Sequence, residues 1–116
     1  MSDVIDIDDS AFEEMVERSL KPTLVMFHSP SCPHCKRMMP HFEKYASEFK
    51  GNVTFARVNV LENNYTTQRY GIMGTPTFKF FCKSRPVHEL VGAANPKHLK
   101  RLVEEGLRQG DECKKT

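Results

Sequence analysis

No apolar run in this chain is long enough to cross a bilayer. The longest, such as Leu24 to Phe27 and Phe78 to Cys82, fall far short of the roughly 20 residues a membrane helix needs, so no membrane partner is expected. There is no surplus of charge either: 17 Lys and Arg stand against 15 Asp and Glu, for a formal net charge of +2. The two signs are mixed along the chain and no RNA- or DNA-binding motif is present, which argues against nucleic acid as a partner. Internal repeats and low-complexity segments are also missing. Met1-Ser2-Asp3 has neither the basic n-region nor the apolar h-region of an export signal. Cysteine is scarce, with four in all. Two share the quartet Cys32-Pro33-His34-Cys35, while Cys82 and Cys113 stand alone. That distribution does not read as the disulfide staple of a small secreted domain, and a cytoplasmic location is expected.

At 116 residues the chain fits one domain, expected over 1–110, with a polar tail over 111–116. Val4 to Ile7 alternates with acidic residues and predicts a short edge strand. Asp8, Asp9 and Ser10 offer N-caps to a helix carrying Phe12, Met15 and Val16, ending near Arg18. The continuous apolar run Leu24–Phe27 predicts a strand covered on both faces. A long helix is expected from Cys32 to about Phe49, with the apolar stripe Met38, Met39, Phe42, Tyr45, Ala46, a bend at Pro40 and a stop at Gly51. Val53–Val60 reads as a strand and Asn63–Tyr70 as a short helix ending at Gly71. Thr77–Cys82 and Pro86–Val91 form a hairpin across Lys83-Ser84-Arg85, and Asn95-Pro96 opens a last amphipathic helix that Gly110 ends. The order βαβαβαββα makes this an α/β chain, with one mixed sheet of about five strands flanked by four helices.

The chemistry concentrates at the cysteine quartet. Two thiols separated by two residues at a helix start meet the positive end of the helix dipole, which stabilises a thiolate. Cys32 would be exposed there and attack a disulfide; Cys35, one turn further in, would resolve the mixed disulfide. Pro33 has no N–H to lose at that position. Half of a zinc site and two unrelated core cysteines are the competing readings. Zinc needs two further ligands, and neither Cys82 nor Cys113 belongs to a second knuckle, so no metal is expected.

From about residue 4 to residue 109 the chain resembles the thioredoxin family. Leu24-Val25-Met26-Phe27, Cys32-x-x-Cys35-Lys36 and Pro40 are similar to the family's active-site strand and kinked helix. Gly71-Ile72-Met73-Gly74-Thr75-Pro76-Thr77 resembles its cis-proline loop, and Val91-Gly92-Ala93 the adjoining glycine loop. The resemblance implies the thioredoxin fold, with Cys32 as nucleophile and Cys35 as resolving thiol. It also implies a cis Thr75–Pro76 bond facing Cys32. Thr75 would pair with an extended substrate strand, in a groove formed by Met73, Gly74, Thr75, Pro76, Val91, Gly92 and Ala93. Arg57 falls where the family often has a lysine near the buried end of the site, or is simply a solvated strand residue. Met73 could alternatively pack in the core.

The chain departs from the family in two places. It contains no tryptophan, so Ser31 stands where the family has one before the first cysteine, and Met26 occupies the place of a buried aspartate. With that acid gone, the proton of Cys35 must leave through water, His34 or a group the sequence does not identify. His34, between the cysteines, is expected to stabilise the Cys32 thiolate and raise the reduction potential above the thioredoxin value of about −270 mV. His28 replaces a family aromatic and is expected to pack against the site, a proton-handling role being open to it. His41, His88 and His98 read as surface residues, Cys82 as a buried inert thiol, and Cys113 as exposed.

The expected function is that of a cytosolic monomer that reduces protein disulfides. It would be recharged by a thioredoxin reductase or an equivalent electron donor, and would use no bound cofactor. The alternatives are a glutaredoxin- or disulfide-isomerase-like protein with a more oxidising pair, and a non-catalytic binding module.

Overall fold

The structure is a computed structural model that describes residues 3–82, 85–92 and 95–108. Its elements run in the order β1 (Val4–Asp6), a short π-helical segment (Glu13–Glu17), β2 (Thr23–His28), α1 (Pro33–Glu48), β3 (Thr54–Asn59), α2 (Asn64–Arg69), β4 (Thr77–Cys82), β5 (Arg85–Val91) and α3 (Pro96–Arg108). The expected elements are all present, with ends that differ by a residue or two. The first helix is a wide turn, because the Arg18 amide reaches back to the Glu13 carbonyl at 2.8 Å.

The strands form one five-stranded sheet in the order β1-β3-β2-β4-β5. β1 and β2 both run parallel to β3, while β4 pairs antiparallel with β2 and β5. β2 is therefore flanked on both sides, and its residues from Thr23 to Phe27 are buried. Alternation along β2 divides the core. Leu24 and Met26 face the layer of α1 and α3, where they meet Met38, Phe42, Leu99 and Val103. Val25 and Phe27 face the opposite layer with Phe12, Val16, Val58 and Phe81.

Phenylalanine supplies much of this core: Phe27, Phe42, Phe55, Phe78, Phe80 and Phe81 are all fully buried. Burying each such ring contributes roughly 1.5–3 kcal/mol before the entropy of ordering is set against it. Phe42 of α1 packs between strands, its ring 5.0 Å from Phe55 and 5.8 Å from Phe78. These contacts anchor α1, and with it the cysteine quartet, to the centre of the sheet.

α1 continues through Pro40 to Glu48 and is capped at Phe49. The chain then turns at Gly51, whose φ of +94° favours glycine. Cys82, read from the sequence as an inert thiol, is buried but disulfide-bonded. Lys83, Ser84, Ala93, Gly110, Cys113 and the tail 111–116 lie outside the described residues, so the expectations placed on them do too.

Candidate active site

β2 leads directly into the site. After His28 the chain turns at Ser29 to Ser31, where the Ser29 hydroxyl accepts from the Ser31 amide at 3.3 Å and the Cys32 amide donates to the Ser29 carbonyl at 3.2 Å. Cys32 is the N-cap of α1 rather than its first helical residue, with extended backbone at φ −90° and ψ 110°. Pro33 fills the first helical position, where its missing N–H costs nothing and its fixed φ suits the helix. Sequence periodicity places the helix start one residue early because a cap lies half in the helix and half out.

The cap position has a chemical consequence. In place of the usual side-chain oxygen, the sulfur of Cys32 accepts the Cys35 amide at 3.1 Å. A negative charge on this sulfur would sit on the free N–H groups and dipole of a sixteen-residue helix. Cys32 is half-buried, whereas Cys35 is only 4% exposed and packs into the core beside Met26 and Met38. The two are joined in a disulfide, with Cα atoms 5.2 Å apart. One sulfur can be reached from outside and its partner is held behind it, an arrangement suited to attack by the first and resolution by the second.

The loop before β4 meets the same sulfur. Cys32 Sγ lies 3.5 Å from the Thr75 carbonyl oxygen, and the Thr75–Pro76 peptide is cis. The Thr77 hydroxyl donates to the Gly74 carbonyl at 2.7 Å, and the Gly92 amide to the Pro76 carbonyl at 2.8 Å. Thr77 also pairs with Val91 across the β4–β5 ladder. Gly92 takes φ +89°, which lets the chain leave β5 beside the loop. Met73, Gly74, Thr75, Pro76, Val91 and Gly92 are thus gathered on one rim. Met73 is 97% exposed and Val91 62% exposed, so Met73 presents its thioether to the outside instead of packing in the core.

His34 is exposed on the first turn of α1, and its Nδ1 is in contact with the Arg37 guanidinium. In this disulfide form the hydrogen bond to Cys32 Sγ comes from the Cys35 backbone. His98 is exposed, while His41 and His88 are half-buried.

On the inner side of Cys35 lies a cleft of about 580 Å³ that the sequence did not reveal. Cys35, Met26, His28, Asp6 and Arg57 all line it. Arg57 is not a solvated strand residue: its guanidinium pairs with both carboxylate oxygens of Asp6 and its Nη1 reaches Met39 Sδ at 3.8 Å. The hydrogen bond from Arg57 holds the Asp6 carboxyl below its ordinary range. Burial, reinforced by the Arg57 charge, lowers the His28 imidazole below its ordinary value. Asp6 was missed because its role depends on β1 lying beside β3, where Asp6 is in register with Arg57. The acidic alternation of the edge strand was the only signal in the sequence.

Among the described residues, no three His, Cys, Asp or Glu side chains gather as metal ligands, and no helix is long and apolar enough to cross a membrane.

Comparison with known proteins agrees with this geometry. The family model described as thioredoxin matches residues 3–105. Protein disulfide-isomerase A5 of Mus musculus is 38% identical over 86 residues, covering 72% of this chain and 17% of that protein. The thioredoxin of Thiocapsa roseopersicina is 40% identical over 78 residues, covering 66% of this chain and 86% of its own length. That of Alicyclobacillus acidocaldarius subsp. acidocaldarius is 38% identical over 86 residues, covering 74% and 81%. The chain therefore spans about a sixth of the disulfide-isomerases it matches and most of the thioredoxins.

Proposed function

Since the chain belongs to the thioredoxin family and carries its thiol–disulfide chemistry at Cys32 and Cys35, we propose that it reduces protein disulfides by dithiol exchange. The observation that carries this reading is the placement of Cys32 Sγ, which accepts the Cys35 amide at 3.1 Å and lies 3.5 Å from the Thr75 carbonyl. A reactive sulfur on a helix N-terminus thus faces a backbone segment that can hold an extended peptide.

In the reduced protein the Cys32 thiolate attacks a substrate disulfide. One substrate sulfur leaves with the electron pair of the broken bond, and a mixed disulfide forms. The Cys35 sulfur then attacks Cys32, closes the internal disulfide and releases the second substrate thiolate. Two electrons pass to the substrate, and a thioredoxin reductase or an equivalent donor restores the dithiol. Thr75 would hydrogen-bond the substrate strand, and Met73 and Val91 would cover it with apolar surface. The reaction needs no bound cofactor, and a cytoplasmic site of action suits a protein that must be kept reduced.

Isomerase work is the second reading, favoured by a histidine between the cysteines and by the disulfide-isomerases among the relatives. The test is insulin-disulfide reduction by the full chain, alongside a redox titration of Cys32–Cys35. A reductant gives turnover that Cys32→Ser abolishes and a potential near −270 mV; a value near −180 mV assigns isomerase work instead. No turnover in the parent protein would refute both.

A further inference from the structure

The reduction cycle needs a proton acceptor for Cys35. Resolution requires its thiolate, yet Cys35 is almost wholly buried and the residue beneath it, Met26, is apolar and fully buried. Burial in such surroundings disfavours the thiolate. The proton's exit is therefore set by what else lines the cleft behind Cys35.

Five charged side chains line that cleft together with His28. Arg57 of β3 and Lys36 of α1 are cations and accept no proton. Asp6 of β1 is held by the Arg57 guanidinium. Asp8, in the loop after β1, accepts from the Ser10 hydroxyl at 2.7 Å and the Ala11 amide at 3.0 Å. Glu62, in the loop after β3, is exposed and accepts from Asn59 Nδ2 at 3.0 Å. Asp6 and Asp8 are thus held in their charged form by a cation or by hydrogen-bond donors, which weakens them as bases, and Glu62 is an exposed loop carboxylate already engaged by Asn59. His28, at the end of β2, is half-buried and opens on the same cleft.

We propose that His28 is the proton acceptor for Cys35, taking the thiol proton across the cleft during resolution of the mixed disulfide. This rests on the oxidoreductase reading above. A cleft of about 580 Å³ admits water between polar walls, so the transfer can run through one water. As the Cys35 sulfur bonds to Cys32, its proton passes to the neutral imidazole. The Cys32–substrate bond breaks with its electron pair on the substrate sulfur, and the imidazolium returns the proton to that thiolate or to solvent. Burial and the Arg57 charge favour the neutral imidazole of His28, the form that can accept a proton, and an imidazole's ordinary pKa of about 6.5 lies closer to a thiol's, about 8.5, than a carboxylate's, about 4, does.

The test uses 5,5′-dithiobis(2-nitrobenzoate) in stopped flow, on the reduced full chain with Cys82 and Cys113 replaced by Ser. The first release of thionitrobenzoate reports attack by Cys32, and the second reports resolution by Cys35. In His28→Gln the second release should slow at least about 10-fold near pH 7. The gap should narrow as pH rises into the alkaline range, where hydroxide can take the thiol proton directly. The first release should stay within about twofold. In His28→Ala, added imidazole should restore the second release. A second release that is unchanged in His28→Gln, or slowed equally at every pH with no imidazole rescue in His28→Ala, overturns the proposal. Absence of any second release in the parent instead refutes the oxidoreductase reading.

Discussion

Gly106 of α3 lies so close to Phe80 of β4 that a Cβ built on it would fall 2.5 Å from the ring's Cε1 and Cζ. Phe80 is fully buried and α3 packs on β4 and β5, so the ring has little room to yield. A glycine within a helix is otherwise unfavourable by up to about 1 kcal/mol relative to alanine, even in the last turn where Gly106 lies. Here close approach of helix and sheet outweighs propensity.

Gly106→Ala should therefore destabilise the fold despite its better helix propensity. Overpacking costs about 1–3 kcal/mol, against a gain of up to about 1. A thermal midpoint several degrees below the parent's is expected. A raised midpoint would show that α3 can move off the sheet.

The Asp6–Arg57 pair should make a small, pH-dependent contribution to stability. Because the folded pKa of Asp6 is depressed, its contribution is present above the unfolded value and is lost as pH falls through the folded one. Asp6→Asn should be less stable at neutral pH by about 0.5 kcal/mol or less, since Asp6 is largely exposed. Urea titrations at neutral pH and at about pH 2.5 should show that difference vanish in acid.

Glu17, 8% exposed, accepts the Tyr70 hydroxyl and pairs with Arg69 at 3.0 Å. Burial first, and then Glu17, pushes the Tyr70 phenol above its ordinary value. A raised folded pKa contributes stability below the unfolded value that is lost as pH rises through the folded one. Tyr70→Phe should cost about 1–2 kcal/mol at neutral pH, and the gap to the parent should begin to narrow above about pH 10, the unfolded value. A gap that stays constant into alkali would place its origin elsewhere.

The contact between His34 and Arg37 puts a guanidinium and an imidazole together at the exposed first turn of α1. Positive charge there favours the Cys32 thiolate and so the reduced form. His34→Gly should lower the reduction potential by about 30 mV, equivalent to about 1.4 kcal/mol. Arg37→Ala should move it in the same direction. An unchanged potential in His34→Gly would leave the helix terminus alone in setting it.

Local pattern by itself determined much about this protein. The continuous apolar run of β2, the spacing of Cys32 and Cys35, Pro33 beside them and the stripe of α1 are short-range features whose physics is complete within a few residues. They were enough for the βαβαβαββα order and the mixed sheet, whereas the redox reading of the cysteine pair rested also on the resemblance to the thioredoxin family. Tertiary structure decided what depends on residues distant in sequence. Asp6 meets Arg57 only because β1 lies parallel beside β3. The Thr75 carbonyl meets Cys32 only because β4 runs back along β2. The cleft behind Cys35 exists only where β1, β2, β3 and α1 converge. No periodicity encodes those pairings, since strand order is set by the burial of two faces at once rather than by any one segment.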